Sequence, residues 1–465
     1  MQKRAVGSFV INSGNEVEVR RPHTLSDYVR ATLPQELDEI KSLTKKFTGK
    51  RVAFFNSTPQ GGGVAIMRQA LIPLLRSLGV DVHWYVLLSD PRAFLVTKQK
   101  IHNVLQGVSP PSVRLTEEDR NVYTHWMSRN SVFFADVIKK SHIIVIDDPQ
   151  PSGLIPHIRR DNPSAVVIYR SHIQIDTEFL RDRQSPQWQS WRFVWAMISG
   201  ADHFVFHPVP DFVPEDVPRA SVSYMPATTD PIADLNRDIK PAEAKREIAA
   251  FQKILKETGQ TPLSFTRRYS IQIARFDPSK GIPDVLVSFR KLAEYFRGHM
   301  RDLPQLVLVG NGSVDDPDGP TILNQTMQAI QSDAFDGLRN HIKVAMLPPD
   351  DLLLNTLLRK SSVVLQLSRK EGFEIKVTEA LMKGKPVVVY KTGGIPLQVK
   401  ENVNGFVLPR GDTGAVADRM HRLFSDGKLY TAMSECALRY YDRSFTTIPS
   451  AIRWMKLWAR LDRKL

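Results

Sequence analysis

Short apolar runs alternate along the chain with longer segments whose apolar residues recur at helical spacing. In the first half, the apolar runs lie at residues 52–55, 82–88, 142–146, 165–169, 203–206 and 222–225. Segments with helical spacing lie between them, among them residues 64–78, 93–105, 117–137 and 187–199. Strands that alternate with helices are typical of a parallel sheet covered on both faces. The pattern therefore predicts a doubly wound α/β domain in this half.

The same pattern returns in the second half after an interruption. Residues 226–231 break the alternation, and a charged helix is predicted at residues 240–258 before a new series begins near residue 262. Apolar runs then follow at residues 269–274, 305–309, 341–346, 362–368, 386–390 and 405–408. We predict an N-terminal extension at residues 1–48, Rossmann-like domains at residues 49–230 and 231–446, and a C-terminal helix at residues 447–465. That helix is amphipathic, and we expect it to cross back to the first domain.

Composition and charge narrow the class of protein. The 465 residues are 42% hydrophobic, and no apolar run approaches the roughly 18 residues needed to span a bilayer. The single cysteine, Cys436, cannot form an internal disulfide, and the first residues lack a secretory signal, so a cytoplasmic location is predicted. The net charge of +14 favours an anionic ligand. Nucleic acid is disfavoured, because no basic run is interleaved with aromatic residues.

Candidate binding residues in the first half follow the ends of predicted strands. Residues 56–63 form a turn that ends in Gly62 and Gly63, where glycine lets the backbone pass close to a ligand. A tight turn without a ligand is an equally good interpretation of this stretch alone. Asp148 and His172 lie just past two other strands. Because parallel α/β sheets bind ligands at the carboxyl ends of their strands, we predict that Asp148 and His172 face the glycine turn.

In the second half, Arg275 and Lys280 flank a turn between a strand and a helix. A guanidinium and an ammonium group at that position can hold phosphate, although two surface cations are the alternative interpretation. Glu371 and Gly372 follow the strand at residues 362–368. A helix is predicted from residue 373 to residue 383, so that its first N–H groups would face an anion.

The two carboxylates Glu371 and Glu379 raise the question of a hydrolase. If both residues were helical, they would lie about 12 Å apart at about 1.5 Å per residue. Paired glycosidase carboxylates are about 5 to 9.5 Å apart. We therefore expect the two to hold different parts of one ligand. Glu371 would accept hydrogen bonds from sugar hydroxyls, and Glu379 would lie either at the edge of the core or on a further hydroxyl.

Taken together, these stretches resemble a known family. Glu-Gly-Phe-Glu-Ile-Lys-Val-Thr-Glu at residues 371–379 resembles the paired-glutamate motif of retaining family-four glycosyltransferases with the GT-B fold, and residues 273–281 resemble their phosphate-binding turn. Four further stretches are similar to the group of fungal-type trehalose phosphorylases and trehalose glycosyltransferring synthases: residues 56–65, 102–107, 148–151 and 169–176. The resemblance covers residues 50–446. It implies an α/β GT-B architecture in which two doubly wound Rossmann-like parallel-sheet domains face a central cleft.

The resemblance also implies a reaction, in which α,α-trehalose and phosphate reversibly give glucose and α-glucose 1-phosphate with retention. The first domain would bind the acceptor glucose, and the second would bind the glucosyl and phosphate groups. The implied catalytic residues are His172, Asp148, Glu371, Arg275 and Lys280. The implied substrate- and phosphate-binding residues are Gly62, Gly63, Arg170, Arg275, Lys280, Gly372, Phe373, Glu374 and Glu379. No metal or cofactor is implied. The expected partners are these four small molecules, without nucleic acid or membrane, and a homodimer is left open.

Three other functions are compatible with parts of the sequence. A synthase that transfers glucose from a nucleoside diphosphate sugar would explain Glu379, since the second glutamate of the motif commonly holds the ribose in nucleotide-using relatives. An inactive relative that binds a sugar phosphate for regulation is a second alternative, although intact Arg275, Lys280, Glu371 and His172 argue against it. An NAD-dependent dehydrogenase is disfavoured, because no G-x-G-x-x-G follows a strand.

Overall fold

The computed structural model of the chain describes residues 4–6, 9–60, 62–312 and 318–462. These residues divide into two units. Unit 1 contains the described residues up to Asp230 and those from Ser444 onward, and unit 2 contains those from Pro231 to Arg443. Within the described ranges, every helix is too short or too polar to cross a bilayer.

The strands of unit 1 form a small antiparallel sheet and a larger parallel one. They are β1 (Arg4–Val6), β2 (Phe9–Ile11), β3 (Val17–Val19), β4 (Arg51–Asn56), β5 (Asp81–Val86), β6 (Ile143–Asp147), β7 (Val166–Arg170), β8 (His203–Phe206) and β9 (Val222–Tyr224). Strands β1 to β3 pair antiparallel. The other six form a parallel sheet in the order β5-β4-β6-β7-β8-β9.

The helices of unit 1 cover this parallel sheet. They are α1 (Leu25–Tyr28), α2 (Pro34–Thr44), α3 (Gly63–Ser77), α4 (Pro91–Leu95), α5 (Asn103–Leu105), α6 (Glu117–Phe133), α7 (Ala135–Lys140), α8 (Leu154–Asp161) and α9 (Pro186–Ile198). The single helix predicted at residues 93–105 is wrong, because the π-helix Val96–His102 separates α4 from α5. All side chains of β6 are buried, since the sheet is covered on both faces.

Unit 2 is a second doubly wound sheet. Its strands are β10 (Tyr269–Ile273), β11 (Gln305–Asn311), β12 (Ile342–Leu347), β13 (Val363–Gln366), β14 (Val387–Tyr390) and β15 (Gly405–Leu408). They are all parallel, in the order β12-β11-β10-β13-β14-β15. Its helices are α10 (Pro241–Glu257), α11 (Ile282–Glu294), α12 (Gly319–Gln331), α13 (Asp351–Lys360), α14 (Lys376–Leu381), α15 (Thr413–Ser425) and α16 (Gly427–Tyr440).

The last helix, α17 (Thr447–Leu461), belongs to unit 1, where it packs on α2 and α3. Its apolar face is aromatic. The ring of Trp454 lies 5.4 Å from the ring of Phe54 in β4, and the ring of Trp458 lies 5.7 Å from that of Phe47. Both tryptophans are buried. Burial of these two large rings stabilises the packing of the helix on unit 1.

In each sheet the chain reverses its direction of winding at one pair of neighbouring strands. In unit 1 the reversal falls between β4 and β6, and in unit 2 it falls between β10 and β13. Ligands of open α/β sheets bind outside the carboxyl ends of the strands at such points. The loops that follow these four strands are therefore where a site is expected in each unit.

Candidate active site

At the reversal point of unit 1, acidic and basic side chains meet at the ends of β6 and β7. Asp147 ends β6, and its register partner is Arg170, which ends β7. Asp148 follows with a φ of 68°, in the left-handed region. An aspartate tolerates this conformation better than most residues. The turn directs Asp148 back toward β7, and its Oδ1 accepts a hydrogen bond of 2.6 Å from the backbone N–H of His172.

The centre of this group is Asp147. The guanidinium of Arg68, from α3, donates to its two oxygens at 2.9 and 2.6 Å, and His172 Nε2 lies 2.8 Å from Oδ1. The side chains of Arg68 and Asp147 are 2% and 1% exposed. Burial alone would raise the pKa of the Asp147 carboxyl, but the charge of Arg68 and the bond from His172 outweigh burial and lower this pKa to about 2. Asp147 is therefore ionised at neutral pH.

This arrangement fixes the tautomer of His172. Burial, assisted by the charge of Arg170, lowers the pKa of His172 to about 4, so the ring is neutral at pH 7. An ionised carboxylate can only accept, so Nε2 carries the proton that points to Asp147. The other ring nitrogen, Nδ1, then has a lone pair. It is buried and has no hydrogen-bond partner among the described residues. Nδ1 can accept a hydrogen bond from a ligand hydroxyl.

Arg170, predicted to bind substrate, supports this edge of the sheet from within. Its side chain is 2% exposed and donates to the carbonyls of Phe206 at 3.0 Å and Met225 at 2.7 Å. Its Nη2 also lies 3.3 Å from Nδ1 of His207, whose Nε2 lies 3.2 Å from the carbonyl of His172. The guanidinium thus holds the ends of β8 and β9 and the loop of His172 in place.

Gly62 and Gly63 lie at the start of α3, after β4. Gly62 is the N-cap, with a φ of −137°, and Gly63 is the first helical residue. A Cβ atom added at either position would meet nothing within 4 Å. Neither the backbone conformation nor packing within the chain therefore requires glycine here. The open space at both positions leaves room for a ligand, and the predicted binding role of these glycines stays a prediction.

At the reversal point of unit 2, a tight backbone contact places Lys280. The loop after β10 ends in Gly281, which has a φ of 62°, and a Cβ atom there would lie 1.9 Å from the carbonyl oxygen of Leu367. Only glycine allows this approach. Lys280 itself is fixed by a hydrogen bond of 2.9 Å from Gln272 Nε2 to its carbonyl. Arg275 lies half-buried in the same loop.

The ammonium group of Lys280 joins two carboxylates that sequence spacing could not connect to it. It donates to Glu371 Oε2 and, at 2.7 Å, to Glu374 Oε2. The three side chains are 11%, 15% and 9% exposed. Burial raises the pKa of Glu371 to about 7, although Lys280 acts in the opposite direction. Burial alone would lower the pKa of the Lys280 ammonium group. The two carboxylates outweigh burial, so the net effect is a raised pKa.

The helix predicted from residue 373 is wrong at its start. Glu374 has a φ of 60°, which no α-helix accommodates, and α14 begins only at Lys376. Gly372 therefore lies in a turn, where its N–H donates to Glu371 Oε1 at 3.0 Å. The backbone after Gly372 is not a helix N-terminus, and the predicted contribution of a helix dipole at this position is withdrawn.

Residues that follow β14 contact and stabilise the turn at residues 371–374. Gln398 donates to the carbonyl of Phe373 at 2.6 Å and accepts from the N–H and the hydroxyl of Thr378, at 3.1 and 2.7 Å. A Cβ atom at Gly393 would lie 1.9 Å from the carbonyl oxygen of Glu371, and one at Gly394 would lie 2.4 Å from the Phe373 ring. Two glycines and one buried glutamine thus position the carboxylates.

The remaining predicted residues of this stretch are buried. Phe373 is 1% exposed and packs against Gly394. Glu379 is 0% exposed and accepts a hydrogen bond of 2.6 Å from Lys376 Nζ, one turn earlier in α14. The structure therefore places Lys280, Glu371 and Glu374 together and pairs Glu379 with Lys376.

Sequence reasoning overlooked three residues that organise these groups: Arg68, Asp147 and Gln398. A signal for Asp147 existed, because two consecutive aspartates follow the apolar run at residues 142–146 and successive residues of a strand point to opposite faces. Arg68 and Gln398 carried no such signal. Each reaches its partner across a long stretch of chain, from a helix and a loop whose neighbours are set by the sheet order.

The two doubly wound units together define the GT-B glycosyltransferase fold. A sucrose-phosphate synthase from Thermosynechococcus elongatus superimposes with a TM-score of 0.66 at 15% identity, over 89% of this chain and 99% of that structure. Residues 54–214 match the family model "Trehalose synthase, N-terminal domain", and residues 255–439 match "Glycosyl transferases group 1". The predicted fold class is confirmed.

Relatives define the family more closely. The trehalose synthase of Pyrococcus horikoshii is 33% identical over 386 residues, which are 83% of this chain and 84% of that protein. The trehalose phosphorylase of Pleurotus pulmonarius is 40% identical over 424 residues, 89% of this chain and 57% of that protein. The chain belongs to the trehalose synthase and trehalose phosphorylase family of group 1 glycosyltransferases. It spans a little over half the length of the fungal phosphorylases that it matches.

Proposed function

We propose that the chain catalyses the reversible phosphorolysis of α,α-trehalose to glucose and α-glucose 1-phosphate, with retention at the anomeric carbon. The observation that carries this proposal is the group formed by Lys280, Glu371 and Glu374 at the reversal point of unit 2. It combines a cation for one phosphate group with carboxylates for hydroxyls. The 40% identity to fungal trehalose phosphorylases supports the same reaction.

In unit 2, Lys280 and Arg275 would bind the phosphate. An ammonium group has three N–H donors, so Lys280 can give one to phosphate while it still holds the carboxylates. Glu371 would accept hydrogen bonds from hydroxyls of the transferred glucosyl ring. The buried position of these groups strengthens each contact relative to water, which is the main source of electrostatic catalysis.

In unit 1, His172 would accept a hydrogen bond from a hydroxyl of the glucose that leaves. Its Nδ1 is the acceptor, and Asp147 and Arg68 hold the ring in the required tautomer. Asp148 holds the backbone of the same residue. Gly62 and Gly63 would leave space for the sugar at the start of α3. The role proposed for the residues of unit 1 is thus to bind and orient a sugar.

The chemistry needs few proton transfers. The bond from the anomeric carbon to the bridging oxygen breaks, and a phosphate oxygen bonds to the same face of that carbon. A proton on the attacking phosphate passes to the departing oxygen, so glucose leaves neutral. The positive charge that develops on the glucosyl ring lies near the carboxylate of Glu371, which stabilises it.

A second function is supported by the archaeal relatives. The trehalose synthases of Pyrococcus horikoshii and Thermococcus litoralis are each 33% identical to this chain over 83% of its length. If this chain acted as a synthase with a nucleoside diphosphate sugar as donor, a nucleoside diphosphate would take the place of phosphate as the leaving group. The two functions differ in one property. A phosphorylase cleaves trehalose with phosphate in the absence of nucleotide, and a nucleotide-dependent synthase does not.

The test is glucose release from trehalose with and without inorganic phosphate, in nucleotide-free protein. We expect release only with phosphate, with one α-glucose 1-phosphate formed per glucose. Lys280→Met should abolish it. The matched control is Lys343→Met, because Lys343 is another buried lysine of unit 2 but lies at the amino end of β12, bonded to Thr261 and Asn340. Equal loss in both variants, or phosphate-independent release, would reject the proposal.

Two finer predictions rest on the sequence. We propose a cytoplasmic location, in keeping with the single cysteine, Cys436. A homodimer remains the assembly to test. Light scattering coupled to gel filtration would give the mass in solution, to be compared with 52.7 kDa for one chain.

A further inference from the structure

Glu374 has a backbone conformation that its residue type does not favour. Its φ is 60°, and the other non-glycine residues with positive φ among those described are Asn15, Asp148 and Asn402. Short Asn and Asp side chains reach this region readily because they bond to the local backbone, whereas glutamate does not. A strained residue at a binding edge points to a function for its side chain.

The side chain of Glu374 has a defined position. Its Oε2 lies 2.7 Å from Lys280 Nζ, and it is 9% exposed. Gln398 Nε2 donates to its backbone carbonyl at 3.2 Å, which fixes the turn from the opposite side. The carboxylate is therefore held beside the ammonium group to which we assign phosphate binding. Any phosphate oxygen that bonds to Lys280 comes close to it.

A carboxylate beside a phosphate site distinguishes anions by whether they carry a proton. Inorganic phosphate keeps at least one P–OH at any pH near neutral. A sugar monophosphate carries a P–OH only below its second pKa of about 6, and in either case the P–OH can donate to a carboxylate. Sulfate and the diphosphate group of a nucleoside diphosphate sugar are fully ionised and offer only acceptors. At about 6 Å and an effective dielectric constant of about 20, an unrelieved like charge weakens binding by about 100-fold.

We propose that Glu374 is a specificity-determining residue, which accepts a hydrogen bond from the protonated oxygen of a phosphate group and so selects inorganic phosphate, and a sugar monophosphate in its singly protonated form, over fully ionised anions. The proposal rests on the proposed function, because it takes phosphate as the substrate at Lys280. It assigns Glu371 and Glu374 different partners, the sugar hydroxyls and the phosphate proton. When phosphate carries two protons, one bonds to Glu374 and the other is free to pass to the departing glucose oxygen.

The experiment compares phosphate, sulfate and uridine diphosphate glucose as ligands of the full chain by calorimetric titration at pH 6.5. The wild type should bind phosphate at least tenfold more tightly than sulfate. Glu374→Gln replaces the acceptor-only carboxylate by an amide that also donates. We expect this variant to lose the preference by about 10- to 100-fold, mainly through tighter sulfate binding. Binding of uridine diphosphate glucose should improve in the same sense.

Glu374→Gly is the second variant, because glycine removes the carboxylate and relieves the backbone strain. Its matched control is Asn402→Gly, at the same φ of 60° in an exposed turn before β15. The control should keep the wild-type preference, whereas Glu374→Gly should lose it.

The outcomes separate this inference from the proposed function. If the wild type cleaves trehalose with phosphate but both Glu374 variants keep the preference for phosphate over sulfate, the inference is wrong and the function stands. Equal binding of phosphate and sulfate by a phosphorolytic wild type would also reject it. If the wild type instead requires a nucleoside diphosphate sugar, both the function and the inference fail.

Discussion

The substitution Asp147→Asn tests the buried ion pair of unit 1. It keeps the shape of the side chain but removes the charge that Arg68 contacts through two hydrogen bonds, at 2.9 and 2.6 Å. Both side chains are at most 2% exposed, so the guanidinium would remain buried without its counter-charge. Loss of one member of a buried pair costs about 3–5 kcal/mol. We expect about 3, because the asparagine oxygen still accepts one hydrogen bond from Arg68.

A double variant separates two costs of Asp147→Asn: the lost attraction between Asp147 and Arg68, and the burial of an unpaired Arg68 guanidinium. Arg68→Met removes the guanidinium, which also lies 4.4 Å from the Phe54 ring centroid and 5.5 Å from that of Trp454. Its loss alone strands the carboxylate of Asp147. Combining both substitutions removes both charges of the pair, and replacing a buried ion pair by uncharged groups is often close to neutral. The double variant should therefore be more stable than Asp147→Asn, by about 1–3 kcal/mol.

Thermal unfolding followed by tryptophan fluorescence is the suitable assay. All seven tryptophans of the chain lie in unit 1, so the signal reports on this unit alone. At about 2–4 °C per kcal/mol, Asp147→Asn should lower the midpoint by about 6–12 °C. A double variant whose loss of stability equals or exceeds the sum of the two single losses would show that Arg68 and Asp147 are not coupled.

Three further predictions follow from the geometry. Gln398→Ala removes hydrogen bonds to Phe373 and Thr378 and leaves buried backbone groups unsatisfied. It should destabilise unit 2 by about 2–4 kcal/mol in scanning calorimetry and weaken glucose 1-phosphate binding. An unchanged thermal transition would contradict this prediction. Gly62→Ala should leave the melting temperature within about 2 °C, because its Cβ meets nothing within 4 Å, but raise the KM for trehalose about tenfold or more, and an unchanged KM would remove the glycine from the site. Because the pKa of His172 falls from 6.5 to about 4 on folding, the unfolded chain binds a proton between these pH values that the folded chain does not. The contribution of this histidine to the stability of unit 1 is therefore complete above pH 6.5 and declines as the pH falls toward 4. His172→Gln should flatten that decline in fluorescence melts.

The strands could be predicted from sequence because parallel sheets are buried on both faces. Their residues form short apolar runs, and the run at residues 52–55, for example, lies within β4. Helices were harder where the backbone departs from regular geometry. The π-helix Val96–His102 has the same apolar spacing as an α-helix over so short a stretch, so residues 93–105 read as one helix. Strands β1 and β2 and helices α8 and α12 were not predicted.

The positions of candidate site residues along the strands could be predicted from the sequence, whereas their side-chain partners could not. Residues at the ends of strands, such as Asp148 and Lys280, could be placed on the ligand side from the sheet rule alone. Side-chain partners could not, since they depend on sheet order: Lys280 meets Glu371 only because β10 and β13 are neighbours. The helix predicted after Gly372 failed because spacing does not show that Glu374 is in the left-handed region.

A donor competition in one solution decides whether the chain transfers glucose from glucose 1-phosphate or from a nucleotide sugar. Glucose is supplied with α-glucose 1-phosphate carrying ¹³C in its glucosyl group and an equal concentration of unlabelled uridine diphosphate glucose, and the trehalose formed is analysed by NMR. We expect ¹³C-labelled trehalose with retained α configuration and release of inorganic phosphate, while the nucleotide sugar stays intact. Unlabelled trehalose with release of uridine diphosphate would contradict it.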